Sequence, residues 1–212
     1  MKAIACTVNS GEVYDLDVLL NKFSVSLRNH SRRVAVCSAI IAEQASAFKS
    51  YYEIPKGSSL SAIAHMGGTC HDIGKLIQPA VESECEDYLK HPAIGADFLE
   101  KYKHELLGNE TLAQMVLDIV RYHHERTDGT GFPKGLKGND IPFIAGICSA
   151  ADKLDHDAYM ANGQGKNIEG VFRAFKAQKG RQFCECIWIC LERAWPCLIE
   201  KYTEWNHLKG KY

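Results

Sequence analysis

Apolar positions recur every three to four residues along most of the chain, and runs that alternate apolar with polar are nearly absent. That period predicts helices rather than strands. Helical segments are expected over residues 15–28, 31–49, 60–72, 92–103, 111–124, 142–160, 168–177 and 182–202. Pro92 and Pro142 suit the first turn of a helix, where no intrahelical donor is lost. Gly57, Ser58 and Ser59 read as a loop ending in a helix cap, and Pro196 is expected to kink or end the last helix. Four glycines and two prolines between residues 127 and 142 mark a structured loop. The expected fold is all-α: one domain over 1–212 of about seven to eight helices, with its core at about 15–162 and C-terminal helices at about 167–205.

Polar residues on the apolar faces change this picture. His30 shares a face with Val34, Cys37 and Ile41; His71 with Leu60, Ala64 and Gly67; His91 with Ile94, Gly95 and Phe98. His123 follows Met115, Val116 and Ile119; His124 lies beside Leu117 and Val120; Asp152 follows Ile144, Ala145 and Cys148. Asp72 comes directly after His71. A buried polar group without a partner costs a few kcal/mol. One inward histidine is satisfied by a hydrogen bond, but five histidines and two aspartates that converge satisfy one another best through a cation. Nitrogen and oxygen donors without thiols suit Fe, Mn, Zn or Ni. Seven ligands exceed what one metal with an open position takes, which predicts two divalent metals sharing a carboxylate. Neighbours on a helix diverge by about 100°, so His71-Asp72 and His123-His124 can serve two adjacent metals. His65, His104 and His207 read as surface or structural residues, whereas His156, four residues after Asp152, shares its face.

Composition bounds the partners. With 25 basic and 26 acidic residues the net charge is −1, and 46% of residues are hydrophobic. That excludes a binder of duplex nucleic acid driven by a basic surplus, and a disordered chain. No apolar run approaches the roughly 20 residues that span a bilayer. Asn9, Glu12 and Asp15 follow the start too closely for an export signal, so no membrane association and a cytoplasmic location are expected. Nine cysteines, an odd number, are then expected to be reduced. Cys184, Cys186, Cys190 and Cys197 lack zinc-knuckle spacing, and Cys190 falls on a stripe with Phe183, Ile187, Leu191, Ala194 and Leu198. Buried structural thiols are the expectation there.

The motifs themselves resemble a known family. His71-Asp72-Ile73-Gly74-Lys75 is similar to the HDIGK signature of HD-superfamily metal-dependent phosphohydrolases. His123-His124-Glu125-Arg126, Asp128 to Pro133, Gly135 to Gly138 and Ile141-Pro142 resemble the defining block of the HD-GYP subfamily, and Ala151-Asp152-Lys153-Leu154-Asp155 the segment after it. The resemblance runs from about His30 to Asp155. It implies an HD-domain helical bundle with a buried iron or manganese centre, and a signalling phosphodiesterase that hydrolyses a cyclic dinucleotide, chiefly cyclic di-GMP, to pGpG or GMP. The implied metal ligands are His30, His71, Asp72, His91, His123, His124 and Asp152, with Asp72 bridging and a metal-bridging hydroxide as nucleophile. Lys75 is the implied contact to the scissile phosphate; Arg126, Asp155 and Lys166 are the further substrate-binding candidates. Three departures stand out: Ser26 where some members carry a metal-binding glutamate, Phe132 at the GYP tyrosine, and Asn162 where an arginine usually holds the dinucleotide. Asn162 keeps two alternatives open: an HD phosphohydrolase for another nucleotide or phosphoester, and a non-enzymatic nucleotide-binding effector. A homodimer or a regulatory protein in trans completes the expected partners.

Overall fold

A computed structural model describes residues 5–8, 12–77, 88–103, 110–163, 168–177 and 179–209. Two short strands, β1 (Ala5–Val8) and β2 (Glu12–Asp15), pair antiparallel ahead of the helices. Four-residue strands are too short for alternation to register, so the periodicity analysis missed them. The helices are α1 (Leu16–Asn21), α2 (Val25–Glu43), α3 (Leu60–Cys70), α4 (Gly74–Ile77), α5 (His91–Lys101), α6 (Glu110–Tyr122), α7 (Phe143–Gly163), α8 (Ile168–Lys176) and α9 (Glu185–Lys209). No described helix is long and apolar enough to cross a membrane.

Local chemistry explains several boundaries. The expected helix over 15–28 is broken by Ser24, whose hydroxyl accepts the Leu27 N–H and starts α2. His30 therefore lies inside α2, not ahead of it. Ser59 caps α3 in the same way through the Ala62 N–H. Pro92 occupies the first turn of α5. Pro196, expected to kink or end its helix, lies inside an α9 that continues for 13 residues beyond it, from 196 to 209. The buried Trp195 and Leu198 flank it, and packing there outweighs the hydrogen bond that proline removes.

Helix α2 packs on α3 and α7, and α6 packs on α3, α5 and α7. Glycines set how closely these backbones approach. A methyl at Gly68 would lie 2.8 Å from the Ala35 Cα, and one at Gly67 would lie 2.1 Å from Ile119 Cδ1. Ile41, Ile63, Ile119, Leu154, Trp188 and Leu198 fill one continuous core. The close crossing of α2, α3 and α6 brings the ends that carry His30, His71 and His123 together.

Candidate metal centre

His71 caps α3, Asp72 follows it, His91 opens α5, His123 and His124 follow α6 directly, and His30 and Asp152 project from α2 and α7. Their donor atoms fall into two groups. Asp72, His91, His123 and His124 form one; His30, His71 and Asp152 form the other; within each, donor atoms lie within 4.8 Å of one another. Asp72 faces both groups. Its Oδ1 is 3.1 Å from His91 Nε2 and 3.9 Å from His123 Nε2, while its Oδ2 is 3.4 Å from His71 Nε2 and 3.8 Å from His30 Nε2. His30 Nε2 also lies 3.1 Å from Asp152 Oδ1.

Backbone carbonyls fix the tautomers. His71 Nδ1 lies 2.7 Å from Gly68 O, His91 Nδ1 2.6 Å from Tyr88 O, and His123 Nδ1 3.0 Å from Val120 O. A carbonyl only accepts, so each Nδ1 carries the hydrogen and each Nε2 turns a lone pair inward. His91 Nε2 then faces His123 Nε2 at 3.4 Å and Asp72 Oδ1 at 3.1 Å, acceptor against acceptor. His71 Nε2, Asp72 Oδ1 and His124 Nε2 are buried without a hydrogen-bond partner. Such facing lone pairs repel unless a cation lies between them, so the donors fit divalent metal.

The electrostatics of Asp72, His123 and His124 agree. Burial would raise the Asp72 carboxyl, but positive charge around it, the Lys75 ammonium at 2.7 Å included, holds it well below the usual range. Burial, together with the adjacent His124, pushes His123 well down. Burial brings His124 down to about 4, which keeps it neutral and free to ligate. His30 goes the other way: burial lowers it, but Asp152 and Asp155 outweigh that and raise it to about 9.

The remaining candidates are placed as follows. Lys75 Nζ lies 2.7 Å from Asp72 Oδ2 and 5.3 Å from the centre of the Tyr88 ring. Arg126 reaches Thr130 Oγ1 at 3.0 Å and Asp128 Oδ2 at 3.4 Å. Both line a cavity of about 390 Å³ over the centre, with Lys153 and His156 on its wall. Asp155, expected to bind substrate, does not reach this cavity. It is 1% exposed, and its oxygens take His30 Nδ1 at 2.8 Å, Arg33 Nε at 2.6 Å and the Tyr202 hydroxyl at 3.0 Å. One turn along α7 from Asp152, it supports a ligand from behind. Lys166 and His104 lie outside the described residues, as do the side chains of Asn162 and His207.

Sequence reasoning gave three residues no role. Glu125 is buried and accepts the Lys134 and Leu136 N–H groups at 2.7 and 2.9 Å, which folds the glycine-rich loop back over the site. Tyr88 lies 5.1 Å from the His91 ring and 5.8 Å from the His124 ring, and nothing in its spacing marks it. Arg33 pairs with Asp155. Phe132 stacks on His124 at 4.6 Å. Among the cysteines expected to be buried, Cys186 and Cys190 are, whereas Cys184 is half-buried and Cys197 exposed.

Comparison with known proteins agrees with this geometry. The HD domain family matches residues 27–157. A cyclic di-GMP phosphodiesterase of Thermotoga maritima is 28% identical over 81% of this chain and 46% of its own length. A cyclic di-GMP phosphodiesterase of Pseudomonas aeruginosa is 30% identical over 67% of this chain and 37% of its own. 3′3′-cGAMP-specific phosphodiesterase 3 of Vibrio cholerae is 31% identical over 86% and 38%. The chain thus spans less than half the length of these relatives. In structure, the HD domain of the L. monocytogenes phosphodiesterase PgpH covers 87% of this chain and 98% of its own, with a TM-score of 0.50 at 18% identity, which shows a shared fold. The chain belongs to the HD domain family and is of its HD-GYP-like kind.

Proposed function

We propose that the chain is a phosphodiesterase that hydrolyses a cyclic dinucleotide, cyclic di-GMP first among them, to linear pGpG or GMP at a two-metal centre. One observation carries this reading: Asp72 presents one carboxylate oxygen to each of two ligand groups. The first metal would be held by Asp72, His91, His123 and His124, the second by His30, His71, Asp152 and the other Asp72 oxygen. Iron or manganese suits these donors, with zinc or nickel next, because neither group contains a thiol. When bound, two such cations supply Lewis acidity to a phosphoryl oxygen and acidify water for the attack.

The chain's own residues do the rest. With four protein ligands to each, a six-coordinate iron or manganese would keep positions for water and a substrate oxygen. Lys75, half-buried at the edge of Asp72, meets a non-bridging oxygen of the scissile phosphate, and its attraction grows as charge builds there. A cyclic dinucleotide carries a second phosphate, and Arg126 and Lys153 on the cavity wall offer it cationic partners. Glu125 and Phe132 hold the loop against His124, which limits water around the reacting phosphate. The relatives named as cyclic di-GMP and 3′3′-cGAMP phosphodiesterases support this substrate class.

Turnover of a panel tests it: cyclic di-GMP, 3′3′-cGAMP, mononucleotides and a simple phosphodiester, with the protein loaded anaerobically with iron and separately with manganese. Hydrolysis of a cyclic dinucleotide to a linear product is expected. Metal-loaded protein that turns over only mononucleotides, or nothing, overturns the reading.

A further inference from the structure

Away from the metal centre, two cysteines lie side by side where α9 begins. Cys184 is the residue just ahead of α9, and its carbonyl accepts the Trp188 N–H as the first turn closes. Cys186 lies two residues on, and the two sulfurs are 2.7 Å apart. Cys184 is half-buried, and both thiols line a cleft with Ile141, Phe143 and Ile187. No step at the metal centre uses them. We propose that Cys184 and Cys186 form a thiol–disulfide exchange site, at which Cys184 attacks a low-molecular-weight disulfide such as oxidised glutathione and Cys186 resolves the product.

Three features support this assignment. The first is geometric: a disulfide needs sulfurs about 2.03–2.05 Å apart, and these two already lie 2.7 Å apart, inside van der Waals contact. The second is the environment of Cys184. The Cys186 thiol donates to it, and although burial opposes ionisation, the Ile187 and Cys186 N–H groups at the helix start add to that bond and bring Cys184 down to about 6. The third is the contrast with other thiols. Burial pushes Cys37 up to about 12 and Cys190 up to about 11, as befits structural packing residues.

The chemistry balances. The Cys184 thiolate attacks one sulfur of the small disulfide; a mixed disulfide forms and one small thiolate leaves. Cys186, whose ionisation is disfavoured by its bond to Cys184 and by burial, no longer faces a thiolate once Cys184 is capped. It loses its proton to solvent, attacks the Cys184 sulfur and expels the second small thiolate. The two protein thiols are oxidised by two electrons, and one small disulfide is reduced to two thiols.

Peptide mapping tests the proposal on the intact wild-type chain. The protein is incubated with oxidised glutathione near neutral pH and quenched with acid, and its free thiols are alkylated. A Cys184–Cys186 bridge is expected as the main product. In Cys186→Ser, glutathione should accumulate on Cys184; in Cys184→Ser, residue 186 should stay reduced. Exposed Cys197 is the internal reference, and at pH 6 iodoacetamide should label Cys184 in the reduced wild-type protein on the order of tenfold faster than Cys197. That figure sets about half ionisation against well under one per cent for an ordinary thiol, less the weaker nucleophilicity of an acidic thiolate. Glutathione found on Cys197 ahead of Cys184, or a wild-type map without the bridge, overturns the proposal, and the wild-type map stands whether or not either variant folds.

Discussion

Gly74→Ala should disable the metal centre without touching a ligand. A methyl at Gly74 would lie 2.0 Å from His91 O, 2.8 Å from His91 C and 2.9 Å from Gly95 N, all backbone atoms. A carbon does not approach an oxygen much closer than about 3 Å, so the turn carrying Asp72 and the start of α5 must part by about 1 Å. The packing penalty is about 1–3 kcal/mol, which lowers Tm by roughly 2–12 °C in a chain of this size. The site suffers more, because Asp72 Oδ1 and His91 Nε2 are 3.1 Å apart across the gap that opens. Metal ligation tolerates about 0.2 Å, and affinity at the group containing His91 should fall by about 10- to 100-fold, the usual effect of disturbing what orients a ligand. The assay is metal titration with elemental analysis, beside thermal unfolding. Gly146→Ala is the control, since its methyl meets only the Ile187 side chain at 3.0 Å. Wild-type metal content and affinity in Gly74→Ala, with Tm lowered or not, would refute the reasoning.

Other predictions follow from the same geometry. Asp155→Asn removes the charge that holds Arg33 and His30, and should cost roughly 3 kcal/mol in denaturant unfolding; metal affinity should fall by about 10- to 100-fold with it, and unchanged affinity would return Asp155 to a purely structural role. Lys75→Ala should keep fold and metals but lose on the order of 10²- to 10³-fold in kcat, with Lys75→Arg recovering only part; near wild-type turnover with metal content confirmed removes Lys75 from the mechanism. Asp128 is held down to about 2 by the Thr130 hydroxyl and N–H. A lowered folded value means that this tie is fully present above the ordinary carboxylate range and fades as pH falls from about 4 toward 2. Hydrogen exchange at the Thr130 amide, corrected for its intrinsic pH dependence, should lose protection in that window, and constant protection through it would show that Asp128 does not order the loop.

The convergence of five histidines and two aspartates was legible because each interrupts an apolar stripe, and a helix's period makes such interruptions visible. What aims them was not. His71, His91 and His123 each give Nδ1 to the carbonyl three residues earlier, at Gly68, Tyr88 and Val120. A carbonyl exists at every position, so no residue type advertises that contact, although the shared three-residue offset links the three. Asp155 was misread for a related reason. Its motif marks it as chemically engaged, but sequence carries no sign of whether a carboxylate faces the cavity or the back of His30, and Arg33, its partner, lies 122 residues away. Pro196 shows the same limit: a proline's local penalty is readable, while the packing of Trp195, Leu198 and Tyr202 that offsets it is tertiary.

The central claim is that Asp72 joins two metal sites. Anomalous diffraction from crystals of manganese-loaded protein tests it most directly. Two peaks roughly 3.5–4 Å apart are expected, one beside His91, His123 and His124 and the other beside His30, His71 and Asp152, with one Asp72 oxygen on each. A single peak in fully loaded protein, or peaks that Asp72 does not join, would contradict the account.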